Sequence, residues 1–224
     1  MATDFPDRPV AEVRPEPPVA AVADPAPLGL AGFAMTTVLL SAANAGLIDA
    51  ASGSAIFVGM ALAYGGLGQF MAGMWEFKRN NTFGATAFSS YGAFWIGTGI
   101  LILATALKGD AALNKAFLGD SGFAWFLFAW GVFTTYMFVA SLRVSGAVAL
   151  VFLLLALTFY ALWIGAGHHD PAKVGWTNAG GWLGLATAVA AFYASFAGVL
   201  NTTWGRQVLQ TWPASAGTPL LKRP

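Results

Sequence analysis

Long apolar runs separated by short polar connections set the pattern of this chain. Six runs, at 26–48, 54–77, 84–107, 122–142, 146–165 and 179–201, are each close to the roughly 20 residues that a helix needs to cross a bilayer. No proline interrupts them between Pro27 and Pro171. The expected fold class is all-α, a polytopic six-transmembrane-helix bundle. The first run opens on Asp24, Pro25, Ala26, Pro27, Leu28, Gly29 and Leu30. Asp24 suits an N-cap, and Pro25 suits the first helical position, where a missing N–H costs nothing. Within this helix Phe33, Thr37, Ser41 and Asn44 are spaced by four, four and three, so they share one face. A polar stripe on an otherwise lipid-compatible helix is expected to face protein or water.

The flanks read differently. Residues 1–23 combine five prolines with Asp4, Asp7, Glu12, Glu16, Arg8 and Arg14, too little apolar surface to fold, and are expected to form a disordered cytoplasmic tail. They lack the basic-then-apolar pattern of a cleavable signal, so the first span is expected to direct insertion. The expected organisation is therefore a tail over 1–23, a transmembrane domain over 24–203 and a C-terminal tail over 204–224. No internal repeat supports an inverted-repeat transporter. Lys and Arg place orientation: Arg8, Arg14, Lys78, Arg79, Arg143, Arg206, Lys222 and Arg223 fall on one side, and Lys108, Lys115 and Lys173 on the other. By the positive-inside rule both termini are cytoplasmic, in a multi-pass protein of the plasma membrane. Trp75, Trp125, Trp163, Trp176 and Trp204 fall near span ends, as an interfacial belt requires.

Composition sharpens this picture. Hydrophobic residues make up 57% and charged residues 9%, against about 25% charged in soluble domains. The net charge of +1 and the lack of a basic, aromatic-interleaved run argue against nucleic acid as a partner. The absence of cysteine removes disulfides, thiolate metal sites and cysteine nucleophiles. No Lys, Arg or His lies deep in a span, and the sole acid within one is Glu76. Retinal, haem and buried proton-relay chemistry are thereby disfavoured. Intramembrane hydrolysis would need a nucleophile with a base, so the chain is not expected to be an enzyme, and no cofactor or metal is expected.

What the spans do hold is hydroxyl, amide and aromatic groups: Gln69, Thr98, Thr187 and Asn201 beside the first-helix stripe. Such groups can replace water around a small solute without trapping it. Their plainer use is to bond backbone carbonyls or a neighbouring helix. Gln69 and Glu76 recur at helical spacing with Gly65 and Gly73 and are expected to line a cytoplasmic vestibule. Tyr91, Trp95 and Thr98 share a face of the third span, which aromatic packing also explains. Glu76 beside Lys78 and Arg79 reads as an interfacial ion pair. His168-His169-Asp170 reads as a solvated loop.

Several blocks in order, over residues 24–208, resemble the acetate uptake transporter family (the succinate–acetate permeases and fungal ammonia-transport-outward proteins). They are the segment Asp24 to Leu30, Tyr64-Gly65-Gly66 with Gln69, Asn81-Thr82-Phe83-Gly84, Ser90-Tyr91-Gly92, Trp130-Gly131-Val132-Phe133-Thr134, Gly181-Trp182 and Val199-Leu200-Asn201. The resemblance implies a pore within each protomer of a homo-hexamer and the passage of acetate, often succinate, as a channel or proton-linked permease. It also implies an apolar constriction, which by position falls on Phe33, Tyr91 and Leu155, with Ala191 as the small neighbour that helps set solute size. Two departures stand out: Asp24 occupies the place of the family's Asn, and Gly198 the place where some members carry an acid. A pore for ammonia or urea is the alternative reading. Lipid and a small carboxylate are the expected partners.

Overall fold

The computed structural model describes residues 22–108, 120–167 and 174–213. The sequence expectations for residues 1–21, Lys115, the His168-His169-Asp170 segment, Lys173, Lys222 and Arg223 lie outside these. Helix α1 covers Ala26–Asn44, and α2 covers Ala50–Leu62. A π-helical segment, Ala63–Gly68, joins α2 without a break to α3, Gln69–Lys78. Then follow α4 (Thr82–Lys108), α5 (Asp120–Ser141), α6 (Gly146–Ala166) and α7 (Val174–Thr203). Six spans are long and apolar enough to cross a membrane, at Ala26–Asn44, Ala55–Lys78, Thr82–Ala106, Gly122–Ser141, Gly146–Ala166 and Gly175–Thr203. The fold is thus the all-α six-span bundle that the apolar pattern predicts, with α2, the π segment and α3 forming one span.

The spans close a ring. Helix α1 packs between α3 and α7, α7 against α6, and α6 against α5, while α4 lies against α2 and α3. Between α4 and α5 the ring is joined mainly by long side chains: Tyr91 meets Trp130 and Phe133 at centroid distances of 5.6 and 5.5 Å, and Phe94 meets Trp130 at 4.9 Å. The other joints use small residues. A Cβ on Gly32 would come within 2.7 Å of the Tyr64 carbonyl, and one on Gly65 would overlap the Thr36 side chain. Only glycine lets α1 and the π segment approach this closely. The π turn, where extra residues bulge from the helix, also marks many functional sites.

The helix-start motif docks the first span. Pro25 takes the N-cap position, not the first helical one, and Asp24 accepts a hydrogen bond from the Ala26 N–H at 3.1 Å, two residues on, so it is not the helix N-cap. Its carboxylate also pairs with the Arg79 guanidinium beyond α3. Ser195 donates to the Pro27 carbonyl at 2.7 Å, and a Cβ on Gly198 would meet the Pro27 ring at 2.8 Å. Gly29 sits under the Phe88 ring, and Leu28 faces outward. Three positions of the motif are thus tied to other parts of the bundle: Asp24 to Arg79, Pro27 to α7 and Gly29 to α4.

The outer surface carries large apolar side chains such as Ile56, Leu67, Met71, Val139, Leu157, Val189 and Phe196, as lipid contact requires. Trp75, Trp125, Trp176 and Trp204 are exposed near span ends. Lys78 lies 5.4 Å from the centre of the Trp75 ring, and Arg206 lies 5.7 Å from that of Trp204. Trp163 is instead turned inward against Phe128, 4.9 Å away.

Candidate functional site: two cavities and the neck between them

Two internal cavities lie along the axis of the ring. The larger, about 290 Å³, is walled by Phe33, Thr37, Ser41 and Asn44 of α1, the whole predicted stripe. Trp95 and Thr98 of α4, Phe123 and Phe126 of α5, Leu155 and Thr158 of α6 and Thr177 of α7 are among its other walls. It extends toward the ends of α1 and α6 and the starts of α5 and α7. The smaller, about 20 Å³, has room for about one water and is walled by Leu30, Gln69, Phe88, Tyr91, Val151 and Phe152. Phe33 and Leu155 line both. They form the partition, and neither is more than 5% exposed.

The partition is braced by rings. Phe33 meets Tyr91 edge-on at 5.8 Å and Trp95 at 6.2 Å. Tyr91 is fixed in turn by Phe152 at 6.0 Å and by a 2.8 Å hydrogen bond between its hydroxyl and that of Thr134. Thr134 donates its own proton to the Trp130 carbonyl at 2.6 Å, so the Tyr91 hydroxyl is the donor in this pair. Phe33, Tyr91, Leu155 and Ala191 belong to one buried cluster. Ala191 lies in the wall behind the neck and lines neither cavity.

The remaining predicted residues fall into three places. Thr37, Ser41, Asn44 and Thr98 line the larger cavity, and Gln69 lines the smaller. Thr187 stands one layer back, donating to the Leu183 carbonyl and lying 3.4 Å from Thr158. Glu76 and Asn201 lie away from both cavities. The buried Glu76 accepts from the Asn81 amide at 2.9 Å and lies 3.8 Å from Arg79, while Asn81 also accepts from the Gly84 N–H and so caps α4. Asn201 holds the chain after α7, accepting from the backbone of Val208 and Leu209 and donating to the Leu209 carbonyl.

Hydroxyls inside helices usually satisfy themselves locally. Thr36, Thr37, Thr134, Thr158 and Thr187 all donate to the carbonyl four residues back, at 2.6–2.9 Å. Thr98 makes no such bond: its Oγ1 is buried without a partner, and so is the Trp95 Nε1 one turn earlier. Gln69 Oε1 and Glu76 Oε1 are likewise unpartnered. A buried polar group left unpaired costs about 1–3 kcal/mol, so each one in a folded protein calls for an explanation, a functional role among them. Trp95 was readable from sequence only as one member of an aromatic face. Its free N–H depends on neighbours from other spans, which spacing along one helix does not report.

The geometry is that of an apolar neck between a roomy, mostly apolar chamber dotted with hydroxyl and amide groups and a small second chamber. The sequence profile of the GPR1/FUN34/yaaH family matches residues 10–214. The chain belongs to that family. Within the family's range of relatives, it is 42% identical over 193 residues to acetate permease A of Emericella nidulans, covering 81% of this chain and 63% of that protein. It is 41% identical over 188 residues to the succinate-acetate/proton symporter SatP of Escherichia coli strain K12, covering 84% of this chain and 94% of SatP. A solved structure described as the bacterial acetate channel SatP superposes with a TM-score of 0.76 at 37% identity, covering 85% of this chain and 99% of that one. Family membership, six apolar spans and the fold together make this a multi-pass membrane protein of the transporter and channel type.

Proposed function

We propose that this chain carries acetate across the membrane through the two cavities, with Phe33, Tyr91 and Leu155 as the constriction. The observation that carries the reading is the pair of cavities meeting at Phe33 and Leu155 inside one subunit. An apolar neck favours a solute that can shed its water briefly. A stripped carboxylate costs several kcal/mol, whereas acetic acid, or an acetate ion handed between polar walls, presents a methyl to the neck and a polar end to Thr37, Ser41, Asn44 or Thr98. Gln69 meets the solute in the small chamber. Glu76, Thr187, Ala191 and Asn201 act from outside the cavities, by holding the walls.

Succinate is a further substrate on this reading, the working unit is a homo-hexamer, and both termini face the cytoplasm of the plasma membrane. The succinate in a relative's name supports the first point, the count of Lys and Arg on each side supports the last, and the hexamer rests on the family resemblance alone. The protein works as a transporter or channel and does no covalent chemistry. The deciding experiment is uptake of labelled acetate by proteoliposomes containing the purified full chain. Saturable uptake, inhibited by excess unlabelled acetate or succinate and indifferent to ammonium and urea, is the expected result. Inhibition by ammonium or urea in place of the carboxylates would move the reading to the other solute class.

A further inference from the structure

The larger cavity has two polar side chains on α4 that no described residue satisfies. Trp95 is 3% exposed and Thr98 is 4% exposed; both line the cavity, and neither Nε1 nor Oγ1 has a partner. The other fully buried threonines among the described residues all spend their proton on their own helix; Thr98 does not. The Trp95 indole is held on three sides, by Phe94 at 4.8 Å, Phe57 at 5.8 Å and Phe33 at 6.2 Å. Its N–H can only donate, and the hydroxyl of Thr98 is free to do so. Residues three apart on a helix share one face, so the two donors belong to the same wall of the cavity.

We infer that Trp95 and Thr98 form a two-donor subsite for the carboxyl group of the solute, on the larger-cavity side of the neck. The inference rests on the transport reading above and names the residues that give it selectivity. A carboxylate takes both donors, its methyl lying against Phe33 and Leu155. An ammonium ion has no acceptor and so cannot take the Trp95 N–H, whatever else it meets in the cavity. Trp95 and Thr98 thus recognise the charged end while the neck measures the apolar one.

The test uses the full chain in proteoliposomes and in nanodiscs. W95F keeps the ring and removes the donor; T98V keeps the shape and removes the hydroxyl; T98S keeps the hydroxyl. W95F and T98V are each expected to raise the acetate concentration for half-maximal uptake about ten-fold, the loss of one hydrogen bond to a charged group, with saturating flux retained. T98S is expected to behave as wild type. In wild-type protein labelled with 15N at indole, the cross-peak missing from W95F should move downfield with acetate and stay still with ammonium chloride. A stationary peak under acetate that saturates transport, or wild-type half-saturation in T98V, overturns the subsite and leaves the transport reading intact. If W95F does not fold, the T98V and T98S pair decides alone. No acetate uptake by the wild type overturns both.

Discussion

Leu155 separates the two cavities with a side chain that touches empty space on either face, so shortening it joins them. Leu155→Ala is expected to admit lactate and propionate, read as uptake of either labelled acid relative to acetate in proteoliposomes. Unchanged ratios would remove Leu155 from the filter. The stability cost should fall near the low end of the ~2–5 kcal/mol typical of such truncations, because much of the lost contact was with a void. A different balance holds at the Asp24–Arg79 pair, whose side chains are 42% and 34% exposed. Exposed pairs contribute about 0–1 kcal/mol, so Asp24→Asn should barely move the melting temperature. Arg79→Ala should lower it more, because Arg79 is the only basic group within salt-bridge distance of the buried Glu76 among the described residues. Thermal unfolding in detergent, followed for both variants, checks the order. At this scale the sequence was readable where a helix face decides: Phe33, Thr37, Ser41 and Asn44 do meet one cavity. It was not readable for Asn201, whose partners are backbone groups of a segment that has no apolar pattern of its own.

Among the elements, the π segment between α2 and α3 shows how glycine spacing becomes geometry. Gly65 was legible as packing, but not as part of a π turn, since its spacing is equally that of an α-helix and its closest contact, Thr36, comes from another span. Gly65→Val should destabilise strongly, and Thr36→Ala should recover part of the loss, because the added methyls and the Thr36 side chain compete for one volume. A double-mutant cycle of melting temperatures measures the coupling; simple additivity would mean that the two do not touch. The segment after α7 makes the complementary case. Residues up to Pro213 return to the bundle: Tyr193 donates to the Gln210 carbonyl at 2.6 Å, its ring stacks on Trp212 at 6.1 Å, and Gly146 donates to the Trp212 carbonyl. The expectation of a C-terminal tail from residue 204 therefore meets a chain that is docked as far as it is described. Asn201→Ala should free it, with faster cleavage near Arg206 in limited trypsin digestion and unchanged helix content.

For the whole molecule, hydropathy alone specified the number of spans and nearly their limits, because a bilayer leaves the backbone few alternatives. It could not specify which spans are neighbours. That is set by where glycines allow contact and where rings fill the gap, information distributed over pairs of distant residues. Orientation can be measured without interference, since the chain has no cysteine. Single cysteines placed near Arg143 and near Trp176 should differ in labelling by a membrane-impermeant maleimide added to intact cells, with only the latter reacting. Equal reaction at both would refute the orientation.

The joint between α4 and α5 has a mechanical consequence. At several other joints a glycine lies against the main chain of the next span, as Gly32 does at Tyr64, Gly73 at Ser89 and Gly181 at Ala45. Along this one edge, Tyr91, Phe94, Trp130 and Phe133 meet ring to ring, held by side chains alone. Loosening that edge would therefore require only side-chain rotation, whereas parting any of the glycine-lined edges would require whole spans to shift.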